Sequence, residues 1–280
     1  MTLRQSLTDA DALLAASPYL REQAARDAEL LLLHLLQINR ATLLAHPDRR
    51  LSPEQLAAYQ ILLDRRLRNE PLQYITGQQE FFGLNLKVTP ATLIPRPETE
   101  HLVEAVLHRV PHGQPLQILD IGTGTGAIAL ALAAHLPHAR ITALDISTEA
   151  LEVARENAHT HHLTDRIRFL HSDLIPNNQI EIYDAILSNP PYIPEGDRAE
   201  LHPQVRDHEP SQALFAGPFG LDIYRRLIPQ AHAALKPNGL LALEIGHGQS
   251  EALRSLLAGW KDISFLDDLQ QIPRVALARK

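Results

Sequence analysis

Apolar positions fall into two regimes along this chain of 280 residues. Over residues 1–75 they recur at helical spacing. Asp27-Ala28-Glu29-Leu30-Leu31-Leu32-Leu33-His34-Leu35-Leu36 carries a wide apolar face. Ser52-Pro53-Glu54-Gln55 offers an N-cap, a proline at the first helical position and a capping-box glutamine. A helix is predicted from there to about Asn69, ended by Glu70-Pro71. Between 78 and 95 the pattern changes, and Phe81-Phe82-Gly83-Leu84-Asn85-Leu86-Lys87-Val88 alternates around a glycine as a hairpin does. Ile94-Pro95-Arg96-Pro97-Glu98-Thr99-Glu100 follows, leading into a helix from about Glu98 to Val110.

From Leu116 the chain alternates strand and helix. Predicted strands cover 116–121, 140–144, 167–170, 185–187 and 240–244, and predicted helices 126–136, 148–159 and 224–235. Such alternation implies a mostly parallel, doubly wound sheet with helices on both faces, an α/β architecture. The expected organisation is a small helical domain over 1–75, a hairpin linker over 76–97 and the α/β domain over 98–280.

Composition narrows the function classes. The longest apolar run, Ala127 to Ala134, is too short to span a bilayer, and the first twenty residues lack a secretory h-region. No cysteine is present, which excludes disulfides, a thiolate nucleophile and a cysteine zinc site and fits a cytoplasmic location. The formal charge of −7 weighs against a nucleic-acid partner. Fifteen histidines are scattered, and His159, His161 and His162 have no carboxylate at ligand spacing, so no metal site is expected.

Candidate chemistry sits at the strand ends. Asp120-Ile121-Gly122-Thr123-Gly124-Thr125-Gly126 joins the first strand to the first helix of the α/β region. Glycines there let the backbone lie against a ligand. The spacing is G-x-G-x-G rather than the dinucleotide G-x-G-x-x-G, and no Lys or Arg lies beside the loop to meet a phosphate. That suits a nucleoside with an amino-acid tail, such as S-adenosylmethionine. Asp145 ends the second strand, where an acid accepts hydrogen bonds from ribose hydroxyls. Its plainer reading is a helix-capping or turn acid. Asp173 follows the third strand and is a candidate acceptor for the adenine amino group, with Leu174 covering the ring.

The fourth strand runs into Ser188-Asn189-Pro190-Pro191-Tyr192-Ile193. Prolines stop a sheet ladder and push the residue before them toward extended geometry. Asn189 is thereby held at a carboxyl edge, where open α/β sheets bind ligands. Methyl transfer to a planar NH2 group needs its nitrogen aimed along the C–S axis of the donor. Two acceptors on its N–H bonds would orient that nitrogen and stabilise the charge developing on it. Asn189 Oδ1 and the Pro190 carbonyl are natural candidates, and Tyr192 can pack on a planar acceptor. No tuned general base is needed, because the product loses its proton to water. The bland alternative is a strand-terminating turn.

Taken together, these segments resemble the class I S-adenosylmethionine-dependent methyltransferases, a Rossmann-like fold. They resemble in particular the protein-glutamine methyltransferases of class 1 peptide chain release factors (the PrmC/HemK family). The matching stretches are EPLQYITGQQEFFG, TPATLIPRPETE, DIGTGTGAIALALA, SNPPYIP and HEPSQAL, with a small helical N-terminal domain. The resemblance implies S-adenosylmethionine as cofactor and a glutamine in a release-factor Gly-Gly-Gln loop as substrate. It implies cofactor contacts at Gly122, Thr123, Gly124, Thr125, Gly126, Asp145 and Asn189, and a glutamine site at Asn189, Pro190, Pro191 and Tyr192. Leu174 stands where some members carry an aromatic residue. Arg96 and Glu98 are expected either to line the acceptor cleft or to form a structural ion pair. The N-terminal helices are expected to dock the partner.

Rival readings share parts of this pattern. A glutamine methyltransferase of a ribosomal protein would use the same chemistry. An adenine methyltransferase would flip its base into the cleft but lacks a basic footprint here. A non-catalytic binding module is disfavoured by the intact loop and NPPY stretch, and a nicotinamide dehydrogenase by the glycine spacing.

Overall fold

A computed structural model describes residues 1–176 and 182–280. The chain divides into two compact units, Met1–Gln78 with Glu200–His208, and Gln79–Ala199 with Glu209–Lys280.

The first unit is helical. The helix Leu3–Ala15 begins at a capping box between Thr2 and Gln5. The helix Pro53–Leu67 begins at one between Ser52 and Gln55, with Pro53 in the first turn. These reciprocal bonds satisfy N–H groups that a helix start leaves orphaned. Ala24–Leu36 turns Ala28, Leu31 and Leu32 into a core shared with Leu3, Leu14, Leu43 and Leu63. One ion pair is fully buried there: Arg66 Nε lies 2.6 Å from Asp27 Oδ2. Residues 200–208 belong to this unit although the α/β domain was expected to run unbroken over 98–280. The His202 ring stands edge-on to Tyr19, with Nε2 3.2 Å from the Tyr19 carbonyl, and His208 Nε2 lies 3.0 Å from the Arg68 carbonyl. Contacts made across so long a sequence separation leave no local pattern to read.

The second unit begins one residue into a hairpin of β1 (Gln78–Phe81) and β2 (Leu84–Lys87). It is bound into this unit: the Phe82 N–H donates to Glu100 and the Lys87 N–H to Asn157, whose amide donates back to the Lys87 carbonyl. The main sheet holds β3 (Leu116–Ile121), β4 (Ala139–Asp145), β5 (Ile167–His171), β6 (Tyr183–Ser188), β7 (Leu235–Glu244), β8 (Lys261–Asp267) and β9 (Pro273–Arg279). Its order is β5-β4-β3-β6-β7-β9-β8. The first five strands along that order are parallel, while β9 runs antiparallel to both β7 and β8. The sequence predicts no element beyond Glu244. The run Val275–Ala278 in β9 is buried without alternation, and periodicity cannot tell such a run from a short helix.

Side chains of the central strands sort by period two. Leu116 and Ile118 of β3 enter one apolar layer with Ala185 and Leu187 of β6 and Leu240 and Ala242 of β7. Leu119, Ile121, Leu241 and Leu243 enter the opposite layer with Tyr183 and Tyr224. The first layer is covered by the helices Pro97–Leu107 and Ala127–His135. Continued by two, that face brings Asp120, Asn189 and Glu244 to the same side at the carboxyl ends of their strands. The order reverses between β3 and β6, the switch point where a doubly wound sheet opens a crevice.

Candidate active site

A cavity of about 270 Å3 occupies that crevice. Its floor is the loop after β3. Gly122, Gly124 and Gly126 have φ of 73°, 57° and 83°, in the left-handed region that favours glycine. The Gly122 and Thr123 N–H groups both donate to the Leu144 carbonyl at 2.9 Å, which ties the loop to the end of β4. A Cβ on Gly126 would come within 3.3 Å of the Ala154 Cβ, so the third glycine lets the helices Ala127–His135 and Thr148–Thr160 pack closely. Beneath the loop, Asp120 is fully buried and accepts from Thr123 Oγ1 at 2.6 Å. Its other oxygen has no hydrogen-bond partner among the described residues, and burial pushes this carboxyl up to about 7.

Asp145 lines the cavity at the end of β4. Its oxygens accept the Gly124 N–H at 2.8 Å and the Ser147 N–H at 2.9 Å. Each keeps a lone pair for a further donor. Burial raises its carboxyl above the usual range, against the lowering effect of those bonds. Asp173 also lines the cavity, but one of its oxygens is taken by Arg226 at 2.6 Å. Leu174 is buried in the cavity wall with φ 62°.

Asn189, Pro190 and Pro191 lie on the same wall system as the glycine loop and Asp145. Ser188, at the end of β6, donates to the Ile121 carbonyl at 2.7 Å and locks β6 to β3 just before the loop departs. Tyr192 is partly buried behind this wall rather than among the cavity-lining residues. Its hydroxyl donates to Glu244 Oε1 at 3.3 Å, and its carbonyl accepts from Gln249 Nε2 at 3.0 Å. Burial raises the Tyr192 phenol well above its ordinary range, so it stays protonated.

Arg96 lines the cavity and pairs with Glu209, whose carboxylate is wholly buried and also accepts the Ile94 N–H at 3.2 Å. Glu98 is half-buried at the start of the helix Pro97–Leu107 and is not among the residues lining the cavity. Of the two alternatives for this pair, Arg96 lines the cavity while Glu98 does not, and the ion pair that Arg96 makes is with a residue 113 positions away rather than with Glu98. Both arginines of the cavity, Arg96 and Arg226, are already neutralised by carboxylates. Among the described residues lining the cavity, that leaves no free arginine or lysine for a pyrophosphate, in agreement with a cofactor that is itself cationic.

Sequence reasoning passed over Thr99, Glu209, Glu244 and Gln249. Thr99 lies within TLIPRPETE and Glu209 within HEPSQAL, two of the stretches that carry the family resemblance, but neither residue type announces a role there by itself. Glu244 gave a signal of its own: a carboxylate ending the apolar strand Leu240-Leu241-Ala242-Leu243.

A release factor glutamine methyltransferase of Koribacter versatilis is 42% identical over 288 residues, covering all of this chain and 99% of that protein. The chain belongs to the release factor glutamine methyltransferase family. A family member from Moorella thermoacetica is 48% identical over 91% of this chain and 89% of its own, and one from Coxiella burnetii 43% over 91% of each. Residues 5–77 match the profile described as PrmC N-terminal domain, and residues 98–203 the one described as methyltransferase small domain. The fold recurs in the hMettl16 catalytic domain, with TM-score 0.61 and 19% identity over 77% of this chain and 81% of that one. It recurs in a methyltransferase from Pyrococcus furiosus, with TM-score 0.53 and 19% identity over 78% and 96%. Membership of this family makes the chain an S-adenosylmethionine-dependent methyltransferase.

Proposed function

We propose that this protein methylates the side-chain amide nitrogen of the glutamine in the Gly-Gly-Gln loop of class 1 peptide chain release factors. One observation carries the reading: Asn189 and Pro190 line the same cavity as the glycine loop and Asp145. A planar NH2 group held by the first pair therefore shares a space with whatever the second set holds. When bound, S-adenosylmethionine supplies a methyl group on a positively charged sulfur.

The chain's own residues do the rest. Gly122, Thr123, Gly124, Thr125 and Gly126 present backbone to the cofactor's amino-acid end, and Asp145 accepts from its ribose. Asp173 and Leu174 flank the adenine side, with Arg226 keeping Asp173 in place. Asn189 Oδ1 and the Pro190 carbonyl accept the two N–H bonds of the substrate amide. An amide nitrogen is a poor nucleophile because its lone pair is delocalised. Two fixed acceptors favour its pyramidal form and stabilise the positive charge that grows on it. Pro190 and Pro191 limit the loop's freedom, so little reorganisation is needed as the reaction proceeds. Tyr192, tied at both its hydroxyl and its carbonyl, holds that loop from behind.

The glutamine of a flexible loop offers little surface, so recognition of the partner falls to other parts of the chain. The helical unit, which matches the family's N-terminal profile, serves as the docking domain in this reading. A release-factor substrate would place the enzyme in the cytoplasm beside the translation machinery; no helix among the described residues is long and apolar enough to cross a membrane.

The test is mass spectrometry of a purified release factor incubated with this protein and S-adenosylmethionine. A single methyl on the loop glutamine is expected. Methyl incorporation only into a ribosomal protein, or only into DNA, would replace this substrate with one of those.

A further inference from the structure

An asparagine amide has two ends, and only one of them serves a substrate NH2 group. Turned one way, Asn189 presents Oδ1, an acceptor. Turned the other way, it presents two donors to a group that also donates. Something must hold the productive orientation.

The surrounding bonds do so. Asn189 Nδ2 lies 3.1 Å from Thr99 Oγ1, and Thr99 Oγ1 lies 2.6 Å from Glu244 Oε2. An ionised carboxylate can only accept. With Glu244 ionised, the single proton of Thr99 goes to it. The hydroxyl oxygen then faces Asn189 with lone pairs alone, so the end of the amide turned toward it must be the NH2. Oδ1 is the end left over, without a partner among the described residues. Orientation here follows from counting protons.

We propose that Glu244 and Thr99 are positioning residues for methyl transfer, the carboxylate acting through the threonine hydroxyl to hold Asn189 Oδ1 toward the acceptor nitrogen. This rests on the reading of the cavity as a glutamine-methylating site and adds the device that sets its polarity. The placement fits the fold. Thr99 sits in the first turn of the helix Pro97–Leu107, buried, with Pro97 fixing the helix start. Glu244 ends β7 on the same face as Asn189. The other oxygen of Glu244 accepts from Tyr192, so one carboxylate anchors two parts of the acceptor loop.

Charge decides the orientation. A neutral carboxyl, or a glutamine in its place, can donate to Thr99 Oγ1. The threonine proton is then free to point at Asn189 and draws Oδ1 toward itself. Facing Glu244 are Glu98 from the helix Pro97–Leu107, Arg274 from β9 and the Tyr192 hydroxyl, while Tyr224 donates to the Glu244 backbone carbonyl at 2.7 Å. Burial outweighs the two hydroxyl bonds and pushes the Glu244 carboxyl up to about 7.

The experiment compares wild type with Glu244→Gln, Thr99→Val and Thr99→Ser in methyl transfer to purified release factor, with S-adenosylhomocysteine affinity as the control for folding. Glu244→Gln and Thr99→Val should lose kcat roughly 100-fold, the scale of one lost transition-state acceptor, with cofactor affinity kept. Thr99→Ser should restore most of it. Wild-type kcat should rise as pH passes through about 7, and Glu244→Gln should lose that limb. Wild-type kcat in both Glu244→Gln and Thr99→Val, or losses confined to KM, would overturn the proposal. Should the wild type leave the release factor unmethylated, the substrate reading falls by itself, and the positioning claim is decided by 15N NMR. The Asn189 NH2 signals, identified by their absence in Asn189→Ala, should shift with pH around that same value. Signals that stay fixed between about pH 5.5 and 8.5 would overturn it.

Discussion

Consider an alanine at position 220. Gly220 has φ 67°, and a Cβ built there lies 2.0 Å from the carbonyl oxygen of Tyr192. Real Cβ atoms essentially never approach closer than 3.0 Å, so the two backbones must separate by about 1 Å. The Tyr192 side cannot yield freely. That carbonyl accepts from Gln249, which also donates to the Gly220 carbonyl at 3.2 Å, and the Ile193 N–H is bound to the Leu214 carbonyl at 2.9 Å. The left-handed alanine costs about 1 kcal/mol and the overlap about 1–3 kcal/mol more. A displacement of about 1 Å at the acceptor loop should cost roughly 100-fold in rate. Gly217→Ala is the matched control. Its φ is 73°, and its Cβ would lie 1.9 Å from Asp222 Oδ2, the end of a half-exposed side chain that can swing aside. It carries the same backbone penalty without moving the loop. The assay is labelled-methyl transfer to release factor, with thermal unfolding of both variants. Equal kcat losses in the two, or wild-type kcat in Gly220→Ala, would refute the claim that this close approach sets the loop.

Three further outcomes follow from the site. Asn189→Ala should lower kcat by about 10²–10³-fold in steady-state assays, with a smaller, roughly 10-fold or lesser, weakening of S-adenosylhomocysteine, because the transition-state acceptor is lost together with one expected cofactor contact. Asp145→Ala should weaken S-adenosylhomocysteine by about 10- to 100-fold in calorimetry, since hydrogen bonds to a charged group are worth about 1.5–3 kcal/mol. Asp120 and Glu244, raised by burial from 3.8 and 4.5 to about 7, hold protons more tightly folded than unfolded. Their stabilisation is complete below about pH 4 and is lost as pH rises through about 7, on the order of 3 kcal/mol for Glu244 alone. Urea midpoints should therefore fall between about pH 5 and 8, and less steeply in Glu244→Gln. A midpoint that rises over that window would contradict the assignment.

What the sequence made legible was contiguous. The glycine loop, Asp145 and the Asn189-Pro190-Pro191-Tyr192 stretch each sit at a strand end, and strand ends can be read from periodicity. The capping box at Ser52 was equally local. What stayed hidden were partnerships between distant residues. Arg96 meets Glu209 rather than its neighbour Glu98, and Thr99 meets Glu244 across 145 positions. Asp173 could be placed after β5, but not its engagement with Arg226. Tyr192 could be read as an aromatic near an acceptor, but not that its hydroxyl is held by Glu244. Elements fail to announce themselves when burial on both faces erases alternation, as in β9.

The excursion at 200–208 bears on how the chain comes off the ribosome. Its first 78 residues emerge early, yet the surface that receives His202 and His208 waits for a segment made much later. The N-terminal helices must linger incompletely covered while most of the sheet is being synthesised. Neither half can be cut from the gene as one uninterrupted piece. A truncation at 78 would deprive a nine-residue stretch of its packing partners, and a fragment ending there would lack part of its own wall.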